Sequence, residues 1–164
     1  MQVFFFSTWI TIALFVVIWA VVPLLLAYLS HMVPDRFLQH TRYFWRSHPF
    51  EQNGRLYETV FKIRLWKHLL PDGGGVFKKN SYKKKTLTDY SEENLQRFLL
   101  ETCRGELVHW LGILPFWVFG LFAPPGVIWI MLLYALSVNL PCIIAQRYNR
   151  PRIYALLKKR YPNS

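Results

Sequence analysis

Every one of the twenty Lys and Arg residues can be placed on a single side of a membrane, and that constrains the fold more than any local motif. Three long apolar runs hold no Lys, Arg, Asp or Glu: Val3 to Leu29, Leu107 to Phe122, and Val127 to Ala145. No Lys or Arg precedes Arg36, and the turn Ala123-Pro124-Pro125-Gly126 has none. Fourteen fall between Arg36 and Arg104, and the other six between Arg147 and Arg160. Positive charge collects on the cytoplasmic side of short-looped membrane proteins. One topology then satisfies every charge: N-terminus outside, basic middle segment inside, an extracytoplasmic hairpin tip, and the C-terminal tail inside. The expectation is an all-α, multi-pass protein of the cell membrane. It is a single domain over 1–164 with three transmembrane helices, an amphipathic interfacial helix within the cytoplasmic segment 30–106, and a cytoplasmic tail over 146–164.

Crossing the hydrocarbon core takes about 20 residues of α-helix. The first run, of twenty-seven residues, spans with tilt, and the third, of nineteen, suffices. The second, of sixteen, suffices if the uncharged tip at Ala123 is included or the bilayer thins there. A cleaved signal peptide begins with basic residues and has a shorter apolar core. Met1-Gln2-Val3 has no basic residue, so a retained anchor is expected, kinked at Pro23.

The net charge of +11 fits either nucleic acid or anionic lipid. Basic residues that flank apolar spans favour anionic headgroups, with no nucleic-acid partner. Lys78, Lys79, Lys83, Lys84 and Lys85 read as a solvated or headgroup-bound loop. Two cysteines, Cys103 and Cys142, do not make a disulfide framework.

Leu56 to Leu70 has apolar residues at helical spacing and is read as the interfacial helix, ended by Pro71-Asp72-Gly73-Gly74-Gly75. A second helix starts at Asp89 or Ser91, where Glu92 and Glu93 suit a helix N-terminus, and runs into the second apolar run. Glu106 and His109, three apart, share one face of it, and His109 lies about one turn inside the run. An ionisable residue at that depth is a functional-site hypothesis.

Four stretches resemble one family in order and approximate spacing. They are Val33 to Phe37, Arg64 to Gly73, Glu101 to Pro115, and Gln146-Arg147-Tyr148-Asn149-Arg150-Pro151-Arg152. The chain is similar over about Val33 to Arg152 to the glycosyl-4,4'-diaponeurosporenoate acyltransferases of bacterial C30 carotenoid synthesis. The resemblance implies transfer of a fatty acyl group to the sugar hydroxyl of a glycosylated carotenoid carboxylate. The partners are then a lipid-soluble glycosyl carotenoid, an acyl donor and anionic lipids, with a membrane-enzyme complex or a homo-oligomer possible and no cofactor.

Acylating a hydroxyl needs a base, a stabiliser for the oxyanion, and alignment of two greasy substrates. Histidine is the usual base near neutral pH, and a carboxylate can fix its tautomer. Two pairs qualify: His109 with Glu106, and His68 with Asp72. The second differs by one residue from the His-x4-Asp spacing of glycerolipid acyltransferases. Arg64, Trp66, Arg104, Trp110, Arg147, Tyr148, Asn149 and Arg150 are the candidate substrate-binding residues. Arg147 and Arg150 suit a phosphate or carboxylate. Two rival readings use the same features. One is a metalloenzyme built on His68, Asp72, Glu106 and His109. The other is a non-enzymatic subunit of a membrane complex.

Overall fold

A computed structural model describes residues 2–70 and 89–162, and every regular element among them is helical. Asp72 and the run Lys78 to Lys85 lie outside the described residues. Among the described residues there are five α-helices: α1 (Thr8–Ser30), α2 (Arg55–Thr59), α3 (Ile63–Trp66), α4 (Glu92–Ile113) and α5 (Val127–Arg160). The chain divides into two compact units, residues 1–32 with 107–140, and residues 33–106 with 141–164. Both α4 and α5 contribute residues to each.

In the first unit, α1 is apolar on all sides, with Trp9, Val16, Leu24 and Leu25 exposed. A helix with that surface belongs in a large core or in a bilayer. It and α5 are each long and apolar enough to cross a membrane. The second apolar run departs from the expected single α-helix. α4 stops at Ile113, and a 3₁₀ segment follows over Leu114–Leu121. Pro115 has no N–H to donate, and its ring crowds the carbonyl four residues back, which favours ending the α-helix here. Aromatic packing orders this segment. The buried Phe119 ring meets Phe15 edge-on at 5.0 Å and Trp19 at 5.4 Å. Trp19 meets Tyr134 at 4.9 Å. The amides of Val3 and Phe4 both donate to the Leu121 carbonyl, at 2.7 and 2.9 Å.

α5 extends past Ala145, through Pro141 and Pro151, to Arg160. A proline removes one helical hydrogen bond, but Ile143, Tyr148, Arg150 and Leu157 along this stretch are buried, and burial outweighs the loss.

The second unit contains two apolar clusters. One joins Tyr57, Ile63, Ala145 and Tyr148, with Trp66, Leu70 and Ile144 against it. The other joins Leu95 and Leu99 of α4 to Leu157 of α5. α4 begins where the capping residues place it, with the Leu95 amide bonded to the Ser91 carbonyl and the Ser91 amide to Asp89.

The expected continuous helix over Leu56 to Leu70 is a correction. α2 ends at Thr59, Lys62 is left-handed at φ 47°, α3 covers four residues, and a 3₁₀ turn takes Lys67–Leu69. In a straight helix Tyr57 and Ile63, six residues apart, would point about 120° away from each other. Both are buried in one cluster, so the chain breaks between them. The Trp66 indole N–H takes up the Phe61 carbonyl at 2.8 Å, next to the break.

Candidate active site

Glu106 is fully buried near the middle of α4, and both of its oxygens are held by arginines of α5. Arg147 Nε donates to Oε1 at 2.6 Å, and Arg150 donates to Oε2 at 2.7 Å. The helical spacing of 147 and 150 puts both guanidiniums on one face of α5. Arg147 also bonds Glu51 at 2.8 Å and the Phe44 carbonyl at 3.1 Å. Arg150 also bonds Thr102 at 3.1 Å and the Trp45 carbonyl. Glu51 in turn accepts from the Tyr57 hydroxyl at 2.8 Å and the His48 amide at 3.1 Å. Burial and the neighbouring Glu51 carboxylate push the Tyr57 phenol well above its ordinary range. Two buried carboxylates and two arginines thus tie the segment around Phe44 to Glu51 to α4 and α5. Arg104 bonds Asp35 at 2.8 Å and Glu101 at 3.4 Å.

A second cluster, with Arg64 and Arg152 open to solvent, surrounds the buried Tyr148. Glu58 accepts from Arg64 at 2.7 Å, from the Tyr148 hydroxyl at 2.8 Å and from Arg152 at 3.0 Å. The Arg152 guanidinium and the Lys67 ammonium lie 4.8 and 5.0 Å from the Tyr148 ring centroid. Lys67 also bonds Asn149 at 3.3 Å. The Tyr148 hydroxyl, with Arg64 and Arg152, holds the Glu58 carboxyl below its ordinary range. Partial burial, with Arg152 and Arg64 close by, holds the Lys67 ammonium below its own. Three cations around one carboxylate leave this surface positive.

His109 belongs to the first unit, half-buried on α4, with Nδ1 3.0 Å from the Asn139 amide oxygen of α5. Trp110 is exposed beside it in sequence. The residues named from sequence therefore fall into three groups. Glu106, Arg147 and Arg150 are together in the buried network, with Arg104 buried on α4. Arg64, Tyr148 and Asn149 belong to the second cluster, where Tyr148 is buried, and Trp66 packs on the same core. His109 stands with Asn139. His68 is exposed on the 3₁₀ turn, and its expected partner Asp72 lies outside the described residues. Among the described residues no three His, Cys, Asp or Glu are grouped to hold a metal ion.

Glu51, Glu58, Lys67, Arg152 and Asn139 are among the participants that the sequence did not point to. Glu51 is 96 residues from Arg147, and nothing local links them. Asn139 did carry a visible hint, since an amide within an uncharged apolar run needs a hydrogen-bond partner.

No solved structure matches the chain. A family model described as glycosyl-4,4'-diaponeurosporenoate acyltransferase matches residues 34–159. Proteins of that name from Staphylococcus aureus strains bovine RF122 / ET3-1, MRSA252 and USA300 are each 36% identical over 140 residues, covering 85% of this chain and 84% of theirs. The match takes in α4, α5 up to residue 159, the buried arginine network and His109, so the chain belongs to the glycosyl-4,4'-diaponeurosporenoate acyltransferase family and is an acyltransferase.

Proposed function

We propose that this protein esterifies the sugar hydroxyl of a glycosylated C30 carotenoid carboxylate with a fatty acyl group, at the cytoplasmic face of the cell membrane. The observation that carries the reading is the family match over residues 34–159, which contains a histidine inside an otherwise uncharged apolar run. His109 is the general base. It takes the proton of the sugar hydroxyl as that oxygen bonds to the acyl carbon of an activated ester or thioester. The bond from the acyl carbon to the donor's leaving group breaks, and the proton passes on to that group.

Substrates that are mostly hydrocarbon fit a base placed there, because the carotenoid tail and the acyl chain stay in lipid while the sugar reaches the interface. The cluster of Arg64, Lys67, Tyr148, Asn149 and Arg152, where positive charge exceeds negative, suits an anionic lipid headgroup. Trp66 and Trp110 suit the interface on either substrate. Arg147 and Arg150 have carboxylates and carbonyls as partners, which favours a structural role for them over the substrate-gripping one expected from sequence. Glu106 then serves the reaction by anchoring those arginines.

Three crossings, with the N-terminus outside and the basic segment inside, remain the topology that fits the charges. Two apolar helices support two of the crossings. For the short second run, a 3₁₀ segment rises about 2.0 Å per residue against 1.5 Å for an α-helix, so sixteen residues reach further than their number suggests.

Purified protein in lipid nanodiscs, given the glycosyl carotenoid and an activated acyl donor, should yield the ester by mass spectrometry. His109→Gln should lower turnover by about 10²- to 10⁴-fold. Turnover close to wild type in that variant would remove His109 as the base. Pigment from cells lacking the protein should lack the acyl ester. If the ester persists there, the substrate assignment is wrong.

A further inference from the structure

We infer that Asn139 is a positioning residue, fixing His109 in the tautomer that carries its proton on Nδ1 and its basic lone pair on Nε2. This inference rests on the reading of His109 as the base. The hydrogen bonds determine the direction. Asn139 Nδ2 donates to the Ala135 carbonyl, one turn back on α5, at 2.9 Å. With its amino group committed there, the amide turns its oxygen toward His109, 3.0 Å from Nδ1. An amide oxygen only accepts, so Nδ1 must bear the hydrogen. The neutral ring then has its lone pair on Nε2, opposite to the tautomer that dominates in water.

Two further features show that the site is built for this contact. Asn139 is buried at 8% exposure within an apolar run, where an unpartnered amide would be costly. Gly112 follows His109 by three residues and so shares its face of α4. A Cβ at Gly112 would lie 2.9 Å from the Asn139 oxygen, closer than real Cβ atoms approach. Glycine there leaves the space that the amide occupies. All four residues belong to one compact unit.

The arrangement does the work that a carboxylate does in other His-dependent sites. It holds the ring plane and the tautomer, but it places no second charge in the apolar segment. When Nε2 takes the hydroxyl proton, the Nδ1–H bond to Asn139 becomes charge-assisted and strengthens.

Full-length protein labelled with ¹⁵N-histidine, in nanodiscs, provides the test. The His109 resonances are identified by their loss in His109→Gln. Wild type at neutral pH should show His109 with the proton on Nδ1, and Asn139→Leu should shift it toward the Nε2–H form. In turnover, Asn139→Leu should lower kcat by about 10²-fold with little change in KM. Asn139→Asp restores an acceptor at Nδ1. It should recover most of the rate and move the acid limb of the pH–rate profile upward, because a carboxylate favours the imidazolium. A wild-type ring protonated on Nε2 overturns the inference. So does an Asn139→Leu enzyme with unchanged kcat and acid limb while His109→Gln is inactive. If His109→Gln is active, the reading of His109 as the base fails, whatever the tautomer.

Discussion

Glu106, Arg147 and Arg150 form the most consequential contacts at the scale of single residues. Glu106 and Arg150 are almost fully buried, at 0% and 3% exposure. Removing one partner of such a pair leaves a charge uncompensated, which costs about 3–5 kcal/mol. Glu106→Ala should therefore lower the thermal unfolding midpoint in detergent substantially, and an unchanged midpoint would contradict the network. Glu106→Gln combined with Arg150→Met should cost less than the sum of the two single changes, because the double variant leaves fewer unmatched charges. The cluster around Tyr148 predicts a dependence on pH instead. The Glu58 carboxyl lies below its ordinary 4.5 in the folded protein. Such a group stabilises the fold at pH above its unfolded pKa and loses that contribution as pH falls through the lower, folded value. Melting midpoints measured from pH 6 down to pH 3 should fall more steeply in wild type than in Glu58→Gln. Equal slopes would mean that Glu58 does not contribute.

Backbone geometry sets the next scale. Gln52, Asn53 and Gly54 are consecutive left-handed residues, at φ 48°, 55° and 93°, directly after the anchored Glu51. Left-handed backbone costs an ordinary L-residue about 1–2 kcal/mol. The bonds of Glu51 to Arg147, Tyr57 and the His48 amide hold the chain in that turn. A Cβ at Gly54 would also lie 3.3 Å from the Tyr148 carbonyl. Gly54→Ala should destabilise by at least ~1 kcal/mol, read as a lower denaturation midpoint. Lys62→Gly should have the opposite sign, stabilising by up to about 1 kcal/mol, since Lys62 is left-handed with no glycine to relieve it. If Lys62→Gly destabilises instead, the break between α2 and α3 is not where the strain lies.

For the molecule as a whole, charge is the organising variable. Single cysteines introduced at the Ala123 to Gly126 tip should react with a membrane-impermeant reagent on intact cells. Single cysteines among Lys78 to Lys85 should react only after the cells are opened. The native thiols do not complicate the readout, because Cys103 and Cys142 are both buried. Labelling of the Lys segment from outside would reverse the proposed topology and move the chemistry to the other face.

Hydrophobic runs, their lengths and the one-sided charge are properties of composition along the chain, so the sequence alone determined the helical class, the two long apolar helices and the start of α4. It also made His109 and Glu106 candidates, because an ionisable group beside or inside an apolar run is conspicuous. Prolines and periodicity were read as local rules, and there the sequence fell short. Pro115 stands where an expected helix became a 3₁₀ segment, and the period over Leu56 to Leu70 concealed a break at Lys62. Each outcome depended on which side chains were buried together. The partners of the charged groups were decided only by the tertiary structure. Glu106 received two arginines about forty residues away, Glu51 joined them from another segment, and His109 received the Asn139 amide. Hydrogen bonds and ion pairs act over about 3 Å in space, whatever the separation along the chain, so no local pattern could have assigned them.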